Sequence, residues 1–342
     1  MELPDDRSHT VRRTRMSLAA TVAASLLLAG CGGGGSDQPG ADGGSPEGKP
    51  AVVETWPLTG QQVPDGKSPK SPAYIVKIDN TAASNPQVGL GKADLVVEEL
   101  VEGGITRLAA FFQSQLPRKV GPVRSMRLTD IGIAKPLGAE IVTSGAAGVT
   151  LQGLAEAGVK FADMSNPAVA RVSDGQHDSL HSVMADLVKL SRQKKQSSRP
   201  VDYLPWGKAS DFPGGRAATS IDARMSAART AHWSFSGGKY RLDNSYMPAD
   251  DTFTADTVIV CKVRTSVASY TDPAGNPVPI SHFEGTGDAV IFHGGKAVRG
   301  TWTKSQIGTT VTFATKTGSL TVPAGKTWLH LVPNTGGDVS FR

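Results

Sequence analysis

Between Tyr74 and Lys195, short apolar runs alternate with stretches whose apolar residues recur at helical spacing. Tyr74 to Asp79 (YIVKID), Ala93 to Leu100 (ADLVVEEL), Ile105 to Phe112 (ITRLAAFF) and Ala139 to Thr143 (AEIVT) predict strands. Helices are expected from Pro122, because proline suits the first helical position, and again over 148–157 and 180–192. After residue 197 the text changes to SSRPVDYLPWGKASDFPGGR, where Pro200, Pro205, Pro213 and paired glycines punctuate regular structure. Beyond it, apolar runs at 256–263, 288–292, 309–314 and 327–332 are separated by turn signals, with no long amphipathic helix among them. That spacing predicts an antiparallel sheet, a sandwich or a partly closed barrel. Trp302 and Trp328 are its natural core anchors, with stacking on a sugar ring as their alternative use. The expected class is therefore α+β/α/β: a mixed α/β domain over 51–200, a linker over 201–225, and a smaller, mostly antiparallel β domain over 226–342.

The N-terminal end sets the cellular address. Arg12, Arg13 and Arg15 precede an apolar segment from Met16 to Ala29, which closes on Leu28-Ala29-Gly30-Cys31. An apolar run of that length is a secretory signal, since a membrane span needs about 20 residues. Small residues directly before a cysteine match a bacterial lipobox. Residues 1–30 are thus expected to be a lipoprotein signal peptide and Cys31 the lipidated first residue of the mature chain, anchored outside the cytoplasm to the cell membrane. The alternative is a plain secreted protein with an incidental Cys31. Residues 31–50 follow as a Gly-, Ser- and Pro-rich flexible tether, with a reach on the order of 24 Å.

Composition adds little chemistry. Of the two cysteines only Cys261 remains beside Cys31, so cysteine spacing supplies neither a disulfide framework nor a zinc site, and Cys261 is expected to be a buried small hydrophobe. The formal charge is +5, and removal of four basic and three acidic residues with the signal leaves +4, mildly basic and dispersed. Arg192, Lys194, Lys195 and Arg199 cluster at the end of a helical pattern, either as a solvated helix end or as a patch for anionic headgroups. No nucleic-acid motif accompanies them. His-Glu-x-x-His, Gly-x-Ser-x-Gly and phosphate-loop motifs are all absent from the sequence, and no cofactor is implied. His177 and His181 have ligand-like spacing on a helix but lack a third ligand, so no metal is expected.

More informative is GPVRSMR, residues 121–127, which places Arg124 and Arg127 around Ser125 shortly after Arg107. At an expected helix N-terminus, cations are mildly unfavourable unless something negative is near. Glu98, Glu99 and Glu102 offer internal partners; phosphate, pyrophosphate, carboxylate or an acidic glycan offers an external one. Each charge-assisted hydrogen bond would be worth roughly 1.5–3 kcal/mol.

These blocks carry a resemblance. Ile78-Asp79-Asn80, Pro86 to Leu90, Ala93-Asp94, Glu98, Val101 to Arg107 and Gly121 to Arg127 are similar to the signature of the YerB-like lipoproteins (DUF3048), and Gly300 to Lys304 and Gly325 to Trp328 resemble motifs of that family's C-terminal module. The family pattern has Pro-His-Asn after the arginine blocks, where this chain has Leu180-His181-Ser182. The resemblance implies an exported, lipid-anchored, two-domain protein and no particular reaction. The leading expectation is a non-catalytic envelope binding or accessory protein with an anion site at Arg107, Arg124, Arg127 and Ser125. One alternative is an enzyme acting on an envelope phosphodiester, polyprenyl pyrophosphate or glycan, with Asp79, Asn80, Glu98, Glu102 or His181 as acid, base or ion-pair partner. Another is a β-rich docking module for a protein partner.

Overall fold

The apolar runs at the head of the chain form strands β1 (Tyr74–Asp79), β2 (Leu95–Leu100), β3 (Thr106–Phe112) and β4 (Glu140–Val142), followed by β5 (Phe161–Ala162). Helices α1 (Thr129–Ala134), α2 (Gly148–Glu156) and α3 (Leu187–Ser191) lie between or after them. The computed structural model describes residues 54–67, 69–194 and 198–342; the expected signal peptide, Cys31 and most of the segment before β1 fall outside the described residues, as does Lys195.

β3 runs antiparallel between β1 and β2, while β4 joins the free edge of β1 in parallel and β5 extends it in parallel. Parallel neighbours need a crossover, and α2 supplies the one between β4 and β5. The other edge of β2 accepts the strand Thr327–Pro333 in parallel, which pairs in parallel with the long strand Thr257–Thr271. Strands from both halves of the sequence thus belong to one 13-stranded mixed sheet. A separate five-stranded sheet includes Ser220–Arg224, Thr230–Ser236 and the C-terminal strand Asp338–Phe341.

The α+β/α/β expectation is overturned, since strand makes up 41% and helix 12% of the structure. The two missing helices have identifiable causes. Around GPVRSMR, the Asp79 N–H donates to the Pro122 carbonyl (3.0 Å), Val123 N–H to Val183 (2.7 Å) and Arg124 N–H to Lys77 (2.8 Å), so the segment is tied between β1 and the strand Val183–Ala185. Gly121 permits this approach, because a Cβ there would sit 2.7 Å from Met184 Sδ and 2.8 Å from the Val183 carbonyl oxygen. Helix resumes only at Thr129. In 180–192, Val183–Ala185 pairs with Val169–Arg171, and only the five residues of α3 are helical, capped by Asp186 accepting from Lys189 N–H (2.8 Å). Tertiary pairing outweighs helical spacing in both places. Within the basic group beyond α3, Lys194 pairs with Glu140 (2.5 Å) and Arg199 with Asp202 (2.6 Å).

β2 and β3 are covered on both faces, which accounts for their nearly unbroken apolar sequences. One face packs Val76, Ile78, Val96 and Leu108 with Trp233 and Trp328; the other packs Ile75, Val97, Ala109 and Phe111 with Ile259, Cys261 and Trp302. Both expected tryptophan anchors are buried: Trp328 meets Trp233 edge-on with centroids 5.2 Å apart, and Trp302 donates to the Lys262 carbonyl (2.9 Å). Cys261 is fully buried, and burial pushes its thiol pKa up, as suits a small hydrophobe.

Glu98 is the polar exception on the tryptophan face. It is fully buried, and its Oε1 accepts from Thr106 Oγ1 (2.7 Å), Asn80 Nδ2 (3.1 Å) and Arg229 Nε (3.3 Å). Its Oε2 accepts from Trp328 Nε1 (3.3 Å) and lies 3.1 Å from His330 Nδ1. Trp233 donates to His330 Nε2 (3.0 Å), which places the ring proton on Nδ1, toward Glu98. Burial alone would raise the Glu98 pKa, but Arg229, His330 and Thr106 outweigh it and hold the carboxyl well below the usual range. Replacement by alanine leaves Arg229 buried without its carboxylate, so Glu98→Ala is expected to lower unfolding free energy by about 3–5 kcal/mol in urea melts at pH 7. Because the folded pKa is depressed, this contribution is present above the unfolded value of about 4.3 and fades as pH falls through the acid range, and the mutant and wild-type stabilities should converge there. A loss that is small, or equal at acid and neutral pH, contradicts this role.

Candidate anion site

Alternation along β1 and β2 divides their terminal charges between the two faces of the sheet. Glu98 and Asn80 join the tryptophan face, as above. Lys77, Asp79 and Glu99 take the opposite face with Arg107, which lies directly across from Asp79 on one side and Glu99 on the other. The turn joining β2 to β3 uses Gly103 and Gly104 at φ 68° and 74°, which glycine adopts without steric cost, and it carries Glu102 beside this group.

Most of these charges are matched internally. Lys77 Nζ bonds to Glu99 and to Asp130 Oδ1 (2.7 Å), and all three side chains are fully buried. Asp130, on α1, also accepts from the Arg127 N–H (2.7 Å). Arg127 grips Glu102 through two nitrogens, with Nη2 to Oε2 at 2.7 Å. Arg124 Nε lies 3.0 Å from Asp79 Oδ2 without hydrogen-bond alignment, and its Nη1 donates to the Leu180 carbonyl (2.9 Å). Arg107 differs from its neighbours. It is 4% exposed, its side chain makes no ion pair or hydrogen bond among the described residues, and its Nε is buried without an acceptor.

The electrostatics follow from this arrangement. Burial, then the nearby Arg127 charge, lower the Arg107 pKa to about 10 against the pull of Asp79. Burial and the adjacent Asp130 carboxylate raise Glu99 to about 7 despite Lys77. Burial opposes ionisation of both Glu102 and Arg127, but their mutual pairing prevails, lowering the first pKa and raising the second.

A cleft of about 420 Å³ opens beside Arg127, lined also by Glu102, Ser125, Ser144, Tyr270 and Asp272. Its wall includes the loop 144–147 at the carboxyl end of β4, which leads into α2. Ala147 provides no side-chain cap for that helix, so the cleft meets a helix N-terminus with uncapped N–H groups. No helix starts at Pro122, contrary to expectation: Arg124 lies in extended backbone tied to Lys77, and Arg127 directly precedes Leu128, the N-cap of α1, while the cleft itself meets the start of α2.

The structure therefore gathers Arg107, Arg124, Arg127, Ser125, Asp79 and Glu102 at one end of one sheet face, and separates Asn80 and Glu98 onto the other. His181 joins the first group, with Nε2 3.6 Å from Asp79 Oδ2 and Nδ1 2.8 Å from Asp178 Oδ1. His177 bonds instead to Asp174 Oδ2 (2.9 Å) and the Pro86 carbonyl (3.0 Å), and the two histidines share turns, not a helix face. Sequence reasoning missed Lys77 and Asp130 in the charge cluster and Ser144, Tyr270 and Asp272 in the cleft. Lys77 was findable, as the polar residue two before Asp79 in an apolar strand; the others come from distant segments.

Comparison with known proteins places this architecture. Residues 58–200 match the N-terminal domain, and residues 221–329 the C-terminal domain, of the family described as protein of unknown function (DUF3048). The chain is 49% identical over 71 residues to the "Putative lipoprotein YerB" of Bacillus subtilis (strain 168); the match covers 21% of this chain and only 21% of that protein's length. The crystal structure of the YerB protein from Bacillus subtilis resembles it with a TM-score of 0.69, over 84% of this chain and 99% of that one, at 22% identity, which shows a shared fold.

The Arg127–Glu102 pair is two-pronged and mostly shielded, with side chains 12% and 8% exposed. A double-mutant cycle of Arg127→Ala and Glu102→Ala, read by urea unfolding, is expected to give a coupling of about 1–3 kcal/mol. A coupling of a few tenths would mean that the pair is effectively solvated.

Proposed function

The chain belongs to the DUF3048 family of YerB-like proteins, and on that premise we propose that it is a lipid-anchored, extracytoplasmic binding protein of the cell envelope that holds a small anionic ligand in the cleft beside Arg127. The ligand's negative group meets Ser125, the exposed edge of Arg127 and the first turn of α2, and Arg107, which is not part of the cleft lining, supplies positive charge that no carboxylate among the described residues takes up directly. Cys31 and the tether hold the protein at the membrane, where such ligands are presented.

One observation carries this reading: the Arg107 guanidinium is more than nine-tenths buried yet unpaired among the described residues. Burial of an unpaired charge is costly, and folds retain such a group when something outside the fold uses it. Binding is favoured over catalysis because the candidate acid–base groups are occupied. Glu102 is held by Arg127, Asp79 by Arg124, and His181 lies between two aspartates.

Arg107→Met is the decisive variant, since it removes the charge and leaves no former ion-pair partner exposed. Its unfolding free energy is expected to equal or exceed wild type by about 1 kcal/mol. Calorimetric titration with sulfate, phosphate and glycerol phosphate should show saturable binding to the wild-type protein and an affinity about tenfold weaker in Arg107→Met. Full affinity in that variant, or no binding of any of the three by the wild type, overturns the reading.

A further inference from the structure

Two carboxylates on this face share one lysine. Lys77 bonds to both Glu99 and Asp130, with all three groups fully buried. Asp130 has a further donor in the Arg127 N–H, whereas Glu99 Oε2 has no hydrogen-bond partner. Directly across, on β3, the Arg107 side chain has none either among the described residues. When every group is ionised, Lys77, Arg107, Arg124 and Arg127 balance Asp79, Glu99, Glu102 and Asp130. A proton on Glu99 breaks that balance and leaves one positive charge in excess, on the side where Arg107 is unpaired.

We propose that Glu99 is a proton-controlled gate for the anion site: protonated, it leaves the arginine cluster net positive and receptive; ionised, it compensates Arg107 from within and weakens the ligand's hold. The gate rests on the anion-site reading above. Burial and the neighbouring Asp130 bring the Glu99 titration to about 7, so both states are accessible near neutral pH. The surrounding charges come from every packed element: Lys77 and Asp79 from β1, Arg107 from β3, Asp130 from α1, Glu102 from the β2–β3 turn and Arg127 from the segment before α1. On the strand Pro277–His282, His282 is engaged with Ser266 Oγ (2.7 Å) and lies in the field of Arg264 and Glu284, and Tyr203 donates its hydroxyl to the Ile133 carbonyl (3.0 Å). None of these supplies Oε2 of Glu99 with a donor.

The sign is fixed by linkage. An anion favours the protonated cluster, so binding takes up a proton and affinity falls as pH rises. If only the protonated form binds, a single group titrating near 7 weakens binding about tenfold between pH 6 and pH 8. Sulfate is the suitable probe, because its own charge is constant across this range. Calorimetry of the wild-type protein at the two pH values should give that drop, with heats that vary with buffer ionisation enthalpy as a proton is taken up. Glu99→Gln should bind with the low-pH affinity throughout and take up no proton. Because that variant alters a buried ion cluster, infrared difference spectra of the unliganded wild-type protein provide an independent readout: a protonated buried carboxyl band present at pH 6 and lost by pH 8. Sulfate affinity that is equal at both pH values, or a carboxyl band that does not change between them, overturns the gate while the anion site stands. Absence of sulfate binding at both pH values overturns the anion site and the gate with it.

Discussion

Burial of ionised side chains at the ends of β1 and β2 is the constraint on which the rest of the structure depends. A charge taken out of water must find a partner or lose its charge. Here the strands carry charges to both faces of a sheet covered on both sides. On the tryptophan face Glu98 is met by Arg229, Thr106, Asn80, Trp328 and His330. Three of these partners lie beyond residue 220, so the carboxylate can be satisfied only when strand Thr327–Pro333 is in register beside β2. Sheet pairing and charge satisfaction therefore impose the same arrangement on the two halves of the sequence.

The opposite face solves the same problem less completely. Its pairs draw on β1, α1, the Gly103–Gly104 turn and the extended segment around Ser125, and each side chain arrives because its backbone is anchored elsewhere. The hydrogen bonds from Asp79, Val123 and Arg124 that abolish the expected helix also carry Arg124 to Asp79 and Arg127 to Glu102. Among the described residues this face leaves Arg107 without a side-chain partner, Glu99 Oε2 without a donor and Arg124 Nε out of line with Asp79. Arg107 and Glu99 are cross-strand neighbours, and the proposed responses to an anion and to a proton both rest on that adjacency.

The strands β1 to β4 were legible because their apolar, β-branched runs are short and bounded by turn residues, and α2 was legible as an isolated amphipathic stretch. Two helices were misplaced because local spacing says nothing of a neighbouring strand that will take the backbone's hydrogen bonds. That substitution turns an apparent α/β pattern into a mostly β fold. At the site, the arginines and Glu102 stood out as charges among glycines, but charge alone groups Glu98 and Glu99 as partners of the same arginines, although adjacent strand residues face opposite sides. What sequence could not supply was the accounting of partners. Asp130, Arg229 and His330 come from 30 to more than 200 residues away, and only their arrival decides which arginine is left over.

Selenate offers the most direct measurement, because it has the shape and charge of sulfate and scatters anomalously. In crystals of the protein soaked with selenate, the account predicts a selenium peak in the cleft, against Ser125 and the first turn of α2 on the side nearest Arg127, and its disappearance in Arg107→Met crystals soaked identically. Selenium found only elsewhere on the surface, or a cleft peak unchanged when Arg107 is replaced, would contradict the claim that the unpaired arginine makes this site.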